Sequence, residues 1–152
     1  MFIKNLVILL TSVTCLFAQP LALKDSIIGV TIQNQFDKDH VIGAKTKRLI
    51  VSFEKDISEN LNIYLASKES NYLKEKETLF IVNISKMPFI IASLFVIPKM
   101  QKYKYDILLI CDENDKKFIS QEGKVTVYEV ENGVIEKIKF NSSKEVIENI
   151  LN

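Results

Sequence analysis

Cysteine, histidine and tryptophan are scarce or missing in this sequence. Its 152 residues include 2 cysteines, 1 histidine and no tryptophan. A structural zinc site needs about four nitrogen or sulfur ligands, and His40 without a cysteine cluster does not supply them. The chain also lacks a serine–histidine pairing, a G-x-G-x-x-G pattern and a Walker sequence. We therefore expect no catalytic residues, no metal site and no cofactor.

Clustered positive charge is missing as well. The 20 lysines and arginines are matched by 19 acidic residues, and most lysines are interleaved with acids along the chain. Arg48 is the single arginine. Binding to nucleic acid needs clustered cations that displace counterions from the phosphates. The charge pattern therefore argues against a nucleic-acid partner.

The first 18 residues have the pattern of a secretory signal peptide. A basic start, MFIK, precedes the apolar run NLVILLTSVTCLF, and Ala18 stands before a polar Gln-Pro pair. The run is too short for a membrane-spanning helix, which needs about 20 apolar residues. We expect cleavage after Ala18, with Ala22 as the second choice, and hence a periplasmic or secreted protein. The alternatives are a retained anchor and lipid attachment at Cys15.

Cleavage would leave one cysteine and an even balance of charge. Loss of Lys4 leaves 19 lysines and arginines against 19 acidic residues, and Cys111 becomes the only thiol. No internal disulfide is then possible, even in an oxidising compartment. The remainder divides into a short segment, 19–26, and a single domain, 27–152, because no linker, repeat or low-complexity stretch interrupts it.

The first half of the domain alternates strands with a helix. Apolar runs predict strands at Ile27–Ile32, Leu49–Phe53 and Leu79–Ile84. The polar turn after the first strand places His40 at the surface of an N-terminal hairpin. A helix is predicted between the second and third strands, with its N-cap at Asp56 or Ser58, from apolar residues at helical spacing: Ile57, Leu61, Tyr64 and Leu65.

A second helix is predicted between two prolines. Pro88 suits the first turn of a helix, where its missing N–H is tolerated. Pro98 should kink or end this helix, because it removes the hydrogen bond to the carbonyl of Leu94. The segment between them, FIIASLFVI, is too short to cross a membrane. We expect a buried core helix, and the alternative is an exposed face that binds a partner.

The last third predicts a strand, a hairpin and a closing helix. Ile107–Cys111 is an apolar strand, and Asn132-Gly133 lies between two alternating strands as in a tight hairpin. Ser142 and Glu145 form a capping box at the start of the final helix. Strands that alternate with helices indicate parallel βαβ units, and the late hairpin adds antiparallel strands. The sequence therefore predicts an α/β fold with a mixed sheet.

From Arg48 onward, the order βαβ, connecting helix and ββα resembles the thioredoxin fold. The stretch RLIVSFEKDISENLNIYL corresponds to the strand, turn and helix at which that family carries C-x-x-C. The extra strand or hairpin around Ile27–Ile32 looks like the N-terminal additions of the peroxiredoxin-like branch. The resemblance implies a thioredoxin-like domain in an exported bacterial protein.

The redox residues of the family do not carry over. The resemblance places the redox turn at Glu54-Lys55-Asp56-Ile57, which has no cysteine, and the cis-proline at Tyr105 or Asp106. Thiol–disulfide exchange needs an accessible thiolate, usually at a helix N-terminus. Cys111 ends an apolar strand, the usual setting of an inert buried thiol. We therefore expect a redox-inactive protein that is not an enzyme, and the alternative is a peroxiredoxin-like or other enzyme using Cys111.

Binding is the function that the resemblance leaves open. The expected partner is an unidentified envelope protein or a small ligand, in a binding or assembly role. A further alternative is a homo-oligomeric structural component that self-associates through Phe89–Ile97 or an edge strand. The candidate binding residues lie around the former redox turn and the loops beside it: Glu54, Lys55, Asp56, Met87, Pro88 and Tyr105.

Overall fold

The computed structural model describes residues 19–113 and 115–152. The predicted signal peptide, its cleavage site after Ala18 and Cys15 lie outside these residues. The strands of the described part are β1 (Thr31–Asn34), β2 (Asp39–Val41), β3 (Arg48–Ser52), β4 (Thr78–Asn83), β5 (Leu108–Ile110), β6 (Val125–Glu131) and β7 (Val134–Asn141).

Four helical segments connect or follow these strands. The segments α1 (Lys55–Ala66) and α2 (Tyr72–Glu75) lie between β3 and β4. The segment α3 lies between β4 and β5 and is continuous through its parts Phe89–Ile91, Ala92–Val96 and Ile97–Met100. The chain closes with α4, formed by Ser143–Val146 and Ile147–Leu151.

The strands form one mixed sheet in the order β2-β1-β5-β4-β3-β6-β7. The three inner strands β3, β4 and β5 are parallel, whereas β6 runs antiparallel to β3 and β1 runs antiparallel to β5. The hairpins β1–β2 and β6–β7 form the two ends of the sheet. The predicted α/β fold with a mixed sheet and an N-terminal hairpin is confirmed.

Both faces of the sheet are covered, which explains the uninterrupted apolar run of β3. Side chains of a strand alternate between faces. Ile50 packs on the face with α1, α3 and α4, whereas Leu49 and Val51 pack on the opposite face with the N-terminal segment. All three side chains are buried. The core therefore consists of two apolar layers, one on each side of the sheet.

The C-terminal hairpin and the closing helix form where the sequence predicts them. Asn132 and Gly133 have φ values of 50° and 79°, the left-handed pair that a two-residue hairpin turn requires. An added Cβ on Gly133 would lie 2.4 Å from the exposed side chain of Ile28, which would have to move, so the main demand for glycine comes from the positive φ. The capping box of Ser142 and Glu145 is complete, with both reciprocal hydrogen bonds present.

The N-terminal strand begins later than the sequence predicts. A turn occupies the start of the predicted strand, because Gly29 has a φ of 83° and the N–H of Val30 donates to the carbonyl of Ile27. The strand therefore begins at Thr31. His40, predicted in a surface turn, is instead a half-buried residue of strand β2.

The prediction that α3 is a buried core helix is wrong. Ala92 and Met100 are buried against the core, but the opposite side of the segment faces outward. Its exposed fractions are 82% for Phe89, 65% for Ile90 and 63% for Leu94. The segment covers one layer of the core, and no other described element packs on its outer side.

Pro98 does not end α3. The preceding turns widen into a π-helix over Ala92–Val96, in which the N–H of Ile97 donates to the carbonyl of Ala92. Such wide turns accommodate residues that a regular α-helix excludes. The helix then continues through Pro98 to Met100. In the described part of the chain, no helix is both long and apolar enough to traverse a lipid bilayer.

Candidate functional site

The candidate site lies at the end of the sheet formed by the carboxyl ends of the three parallel strands β3, β4 and β5. In open α/β sheets, ligands bind outside the carboxyl ends of the parallel strands. Here the chain leaves β3 at Phe53, β4 at Ile84 and β5 at Cys111. Because β6 is antiparallel to β3, the loop before β6 reaches the same edge. The structure thus brings four loops together.

The turn between β3 and α1 is a helix cap stabilised by buried hydroxyl groups. The N-cap is Glu54, in place of the predicted Asp56 or Ser58, and its backbone is extended, with φ of −123° and ψ of 142°. The hydroxyls of Ser52 and Ser58 are hydrogen-bonded at 2.7 Å, and that of Ser58 also donates to the carbonyl of Glu54 at 2.9 Å. Both serines are buried. The turn between β3 and α1 is therefore stabilised by a buried hydrogen bond between the hydroxyls of Ser52 and Ser58.

The carboxylate of Glu54 reaches across to the loop that precedes β6. The backbone N–H of Gly123 donates to Glu54 Oε1 at 2.6 Å, across 69 residues of sequence. This loop, residues 120–124, contains no proline and was not among the predicted site residues. Local sequence signals do not identify it, because its position follows from the pairing of β6 with β3.

A cleft of about 440 Å³ lies between α1 and α3 beside this turn. Ligand pockets of proteins typically measure about 300–1,000 Å³ and combine an apolar lining with a few polar groups. The predicted residues Lys55 and Met87 both line the cleft. Apolar side chains form most of the remaining wall, among them Phe53, Ile84, Ile91, Phe95 and Val96.

An ion pair closes one side of the cleft. Lys99 Nζ of α3 lies 2.5 Å from Glu59 Oε1 of α1. This hydrogen bond raises the pKa of Lys99 and lowers the pKa of Glu59, so both groups are charged at neutral pH. Both side chains are largely exposed, and such pairs contribute little to stability. The pair therefore sets the polar character of the cleft rim.

Of the predicted residues, Glu54, Asp56, Pro88 and Tyr105 do not line the cleft, although Glu54 directly precedes Lys55, which does. Asp56 lies in the exposed first turn of α1, and Pro88 is exposed at the start of α3. Tyr105 is buried and precedes β5, at the opposite edge of the sheet from Glu54. Its hydroxyl donates to Asn62 Oδ1 at 2.8 Å, beneath the cleft. The structure therefore groups Glu54, Lys55 and Met87, and separates Tyr105 from them.

Cys111 is exposed, which corrects the prediction of a buried thiol. The predicted strand ends at Ile110, so the cysteine lies in the loop that follows. Partial burial of its sulfur raises the pKa of the Cys111 thiol. A raised pKa leaves less thiolate at neutral pH, and the thiolate is the nucleophile. The thiol is therefore accessible, and its raised pKa lowers the thiolate fraction at neutral pH.

The described residues at this end of the sheet offer several groups that can bind. Within residues 19–113 and 115–152, no three His, Cys, Asp or Glu side chains are placed to hold a metal ion. Glu54 lies at the start of α1, and its carboxylate is hydrogen-bonded to Gly123. The arrangement can hold a ligand in the cleft or a partner against the turn.

Comparison with known proteins identifies the fold. No protein-family model matches the chain, and no curated protein matches it. The solved thioredoxin domain of a thiol-disulfide oxidoreductase from Bacteroides vulgatus is similar, with a TM-score of 0.52 and 13% identity over 87% of this chain and 99% of that one.

Two further solved structures are similar at the same level. Peroxidoxin BcpB from Mycobacterium tuberculosis has a TM-score of 0.53 and 9% identity, over 86% of this chain and 94% of that one. The bacterioferritin comigratory protein of Xanthomonas campestris has a TM-score of 0.55 and 8% identity, over 86% of this chain and 93% of that one. Similarity at such low identity concerns the fold alone, and the chain therefore has the thioredoxin-like fold.

Proposed function

We propose that this protein is an exported thioredoxin-like domain that carries out no redox chemistry and acts by binding. Its role is in the binding or assembly of another component of the cell envelope. The binding surface is the cleft between α1 and α3 together with the turn at Glu54. The partner is an envelope protein or a small ligand with an apolar part, because apolar side chains form most of the cleft wall.

One observation carries the proposal: the start of α1 holds Glu54 where thiol chemistry would need a cysteine. Its carboxylate accepts a hydrogen bond from Gly123, and Ser58 is bonded to Ser52 beneath it. The turn is therefore a fixed structural element. A fold that keeps its shape without its reaction centre is suited to binding, although fold similarity alone assigns no activity.

The N-terminal sequence supports export. A basic start and an apolar run of about a dozen residues end at Ala18, as in secretory signal peptides. The balanced charge of the chain agrees with an interaction other than nucleic-acid binding. We therefore place the protein in the periplasm or outside the cell.

The alternative of an enzyme using Cys111 is favoured by one observation, the exposure of this thiol near the same sheet edge. Its raised pKa opposes it. In a Cys15→Ala background, we expect iodoacetamide to modify folded Cys111 more slowly at neutral pH than the same thiol in the urea-unfolded chain. The rate should rise as the pH approaches the raised pKa, because thiolate then accumulates.

Thiol assays distinguish the two functions directly. We expect neither disulfide reductase nor peroxidase activity above the level of the matched Cys111→Ala variant. Activity that this variant loses would overturn the redox-inactive proposal and establish the enzyme. A folded-state alkylation rate that saturates near neutral pH would count against it too, since it would reveal a reactive thiolate.

Binding at the cleft is tested by crosslinking in cells. A photoreactive residue in place of Lys55 should capture a specific partner, because Lys55 lines the cleft. The matched control replaces Lys45, an exposed lysine at the other edge of the sheet. We expect products from position 55 that are absent at position 45. Identical products at both positions would show that the cleft is not the binding surface.

A further inference from the structure

The outer side of α3 is an apolar surface that no described element covers. We call it the α3 patch and define it by Phe89, Ile90, Ile91, Leu94 and Phe95. Their exposed fractions run from 45% for Ile91 to 82% for Phe89. Soluble monomers rarely expose contiguous apolar patches of this kind, and such patches usually mark contact with a protein or a membrane.

The helix presents no polar side to water. Between Pro88 and Pro98 the only polar side chain is that of Ser93, and its hydroxyl donates to the carbonyl of Phe89 at 2.8 Å. On the inner side, Ala92 and Val96 pack against the core. A helix that is apolar all round belongs inside a protein core or in contact with lipid. The outer side of α3 is therefore an apolar helix surface that is exposed to water.

The segment of the chain that carries the patch has charge of a single sign. Residues 84–105 contain four lysines and no acidic residue, whereas the rest of the chain has 16 lysines and arginines against 19 acidic residues. Lys99 pairs with Glu59. Lys86 lies before the helix, and Lys102 and Lys104 follow it, and all three are exposed. Among the described residues, none of these three forms an ion pair with a carboxylate.

A second copy of the chain is a poor occupant of this surface. In a two-fold symmetric dimer the same patch contacts itself. The lysines at the ends of α3 would then lie near those of the other copy, and like charges across an interface are unfavourable. An anionic surface satisfies both features at once, since it covers the apolar residues and attracts the lysines.

We propose that the α3 patch docks onto the surface of an anionic lipid bilayer. The apolar side chains enter the boundary between headgroups and acyl chains, as those of interfacial helices do. Lys86, Lys102 and Lys104 extend to the phosphates, since lysine stems lie along apolar surface while the ammonium groups reach polar groups. The domain is held against the membrane with α3 parallel to it.

This docking is a separate proposal from the proposed function, although the two surfaces adjoin. Phe89, Ile90 and Leu94 do not line the cleft between α1 and α3, whereas Lys86, Ile91 and Phe95 do. The apolar variants of the lipid test therefore change Phe89 and Leu94, which the cleft does not share. Failure of lipid binding would leave the cleft proposal standing, and failure of crosslinking at Lys55 would leave the lipid proposal standing.

Cosedimentation of the full chain with vesicles tests the proposal. We expect binding to vesicles of equimolar phosphatidylglycerol and phosphatidylcholine, and much weaker binding to phosphatidylcholine alone. The double variant Phe89→Ser, Leu94→Ser should lower the partition constant at least about tenfold, because two large apolar side chains no longer enter the bilayer. Lys86→Gln and Lys102→Gln should each lower it about fivefold, and added salt should weaken binding further.

Matched variants separate the patch from other apolar or charged surfaces. Val41→Ser removes an apolar side chain that is 61% exposed on the edge strand β2, and Lys38→Gln removes a lysine from the β1–β2 turn. Both should bind vesicles as the unmodified chain does, and any contribution of residues 1–18 is the same in all variants. Equal binding by the patch and control variants would overturn the proposal, as would binding that ignores lipid charge. The proposal would also be overturned if light scattering showed a dimer of the unmodified chain and a monomer of the double variant Phe89→Ser, Leu94→Ser. The patch would then bind a second copy.

Discussion

Replacing Gln35 with leucine is expected to lower the free energy of unfolding by about 2–4 kcal/mol, because two buried backbone groups lose their hydrogen-bond partners. Gln35 is 1% exposed and follows β1. Its Nε2 donates to the carbonyl of Tyr105 at 2.9 Å, and its Oε1 accepts from the N–H of Ile107 at 2.8 Å. The side chain therefore attaches the N-terminal hairpin to the chain entering β5.

A third segment meets at the same residue. Gln101, at the end of α3, donates from its Nε2 to the carbonyl of Gln35 at 2.9 Å. Gln35→Leu keeps this carbonyl but removes the contact of Gln35 Nε2 with the carbonyl of Met100, 3.5 Å away, so the hairpin, the end of α3 and the start of β5 should all loosen. Amide hydrogen exchange should accelerate at Ile107 before it does in β6.

The control for Gln35 lies two residues earlier. Gln33→Leu alters an exposed side chain that donates to Asp39 at 3.1 Å, and we expect a change of less than about 0.5 kcal/mol. Urea unfolding followed by circular dichroism is the suitable measurement, because the chain has no tryptophan. Equal midpoints for the two variants would show that the buried amide does not support the sheet.

Tyr105→Phe is expected to lower the free energy of unfolding by about 1–2 kcal/mol while leaving crosslinking at position 55 unchanged. The ring is 6% exposed and stacks on Tyr103 with centroids 5.3 Å apart. Its hydroxyl donates to Asn62 Oδ1 at 2.8 Å, so the variant removes a buried hydrogen bond and preserves the packing. A loss of crosslinking without a loss of stability would instead make Tyr105 a binding residue.

The same hydroxyl makes stability depend on alkaline pH. Burial, with a smaller contribution from the charge of Tyr103, raises the pKa of Tyr105 above its ordinary value of 10.0. The folded chain therefore holds the phenol proton more tightly than the unfolded chain does. The resulting stability is fully present below pH 10.0 and is lost as the pH rises toward the folded pKa.

Tyr105→Phe should therefore lose less stability than the unmodified chain when the pH is raised above 10.0. Tyr103→Phe is the matched control, because it removes the hydroxyl of the ring stacked on Tyr105. Among the described residues, this change removes no buried hydrogen bond. We expect its alkaline profile to stay closer to that of the unmodified chain than the profile of Tyr105→Phe does, because burial, the larger cause of the raised Tyr105 pKa, is kept. A Tyr105→Phe profile parallel to that of the unmodified chain would contradict this assignment.

The parts of the fold that follow from local chemistry could be read from the sequence. Asn132-Gly133 adopts the left-handed turn that only a few residue types favour, and Ser142 with Glu145 completes a capping box. The run at Leu49–Val51 is buried on both faces, as its lack of alternation indicates. Each signal lies within a few residues, so no distant contact is needed to interpret it.

The candidate site was only partly predictable. Glu54 and Lys55 follow from the position of the turn after β3, whereas Gly123 reaches Glu54 only because β6 pairs with β3. Tyr105 was grouped with them as a loop residue before a strand. That loop lies at the opposite edge, because β5 is parallel to β3 and begins where β3 begins. The predicted parallel βαβ units already imply that β5 begins at the end of the sheet opposite to Glu54, so the grouping of Tyr105 with Glu54 did not follow from the predicted topology.

The sequence by itself determined the order of the main elements apart from β2 and α2, the lack of a thiol at the start of α1 and the apolar character of α3. Only the tertiary structure decided which side of α3 is covered. A helix that is apolar all round has no polar face to mark its outer side, so burial and exposure look alike in its sequence. The sheet covers the side with Ala92 and Met100, and Phe89 and Leu94 are left facing outward.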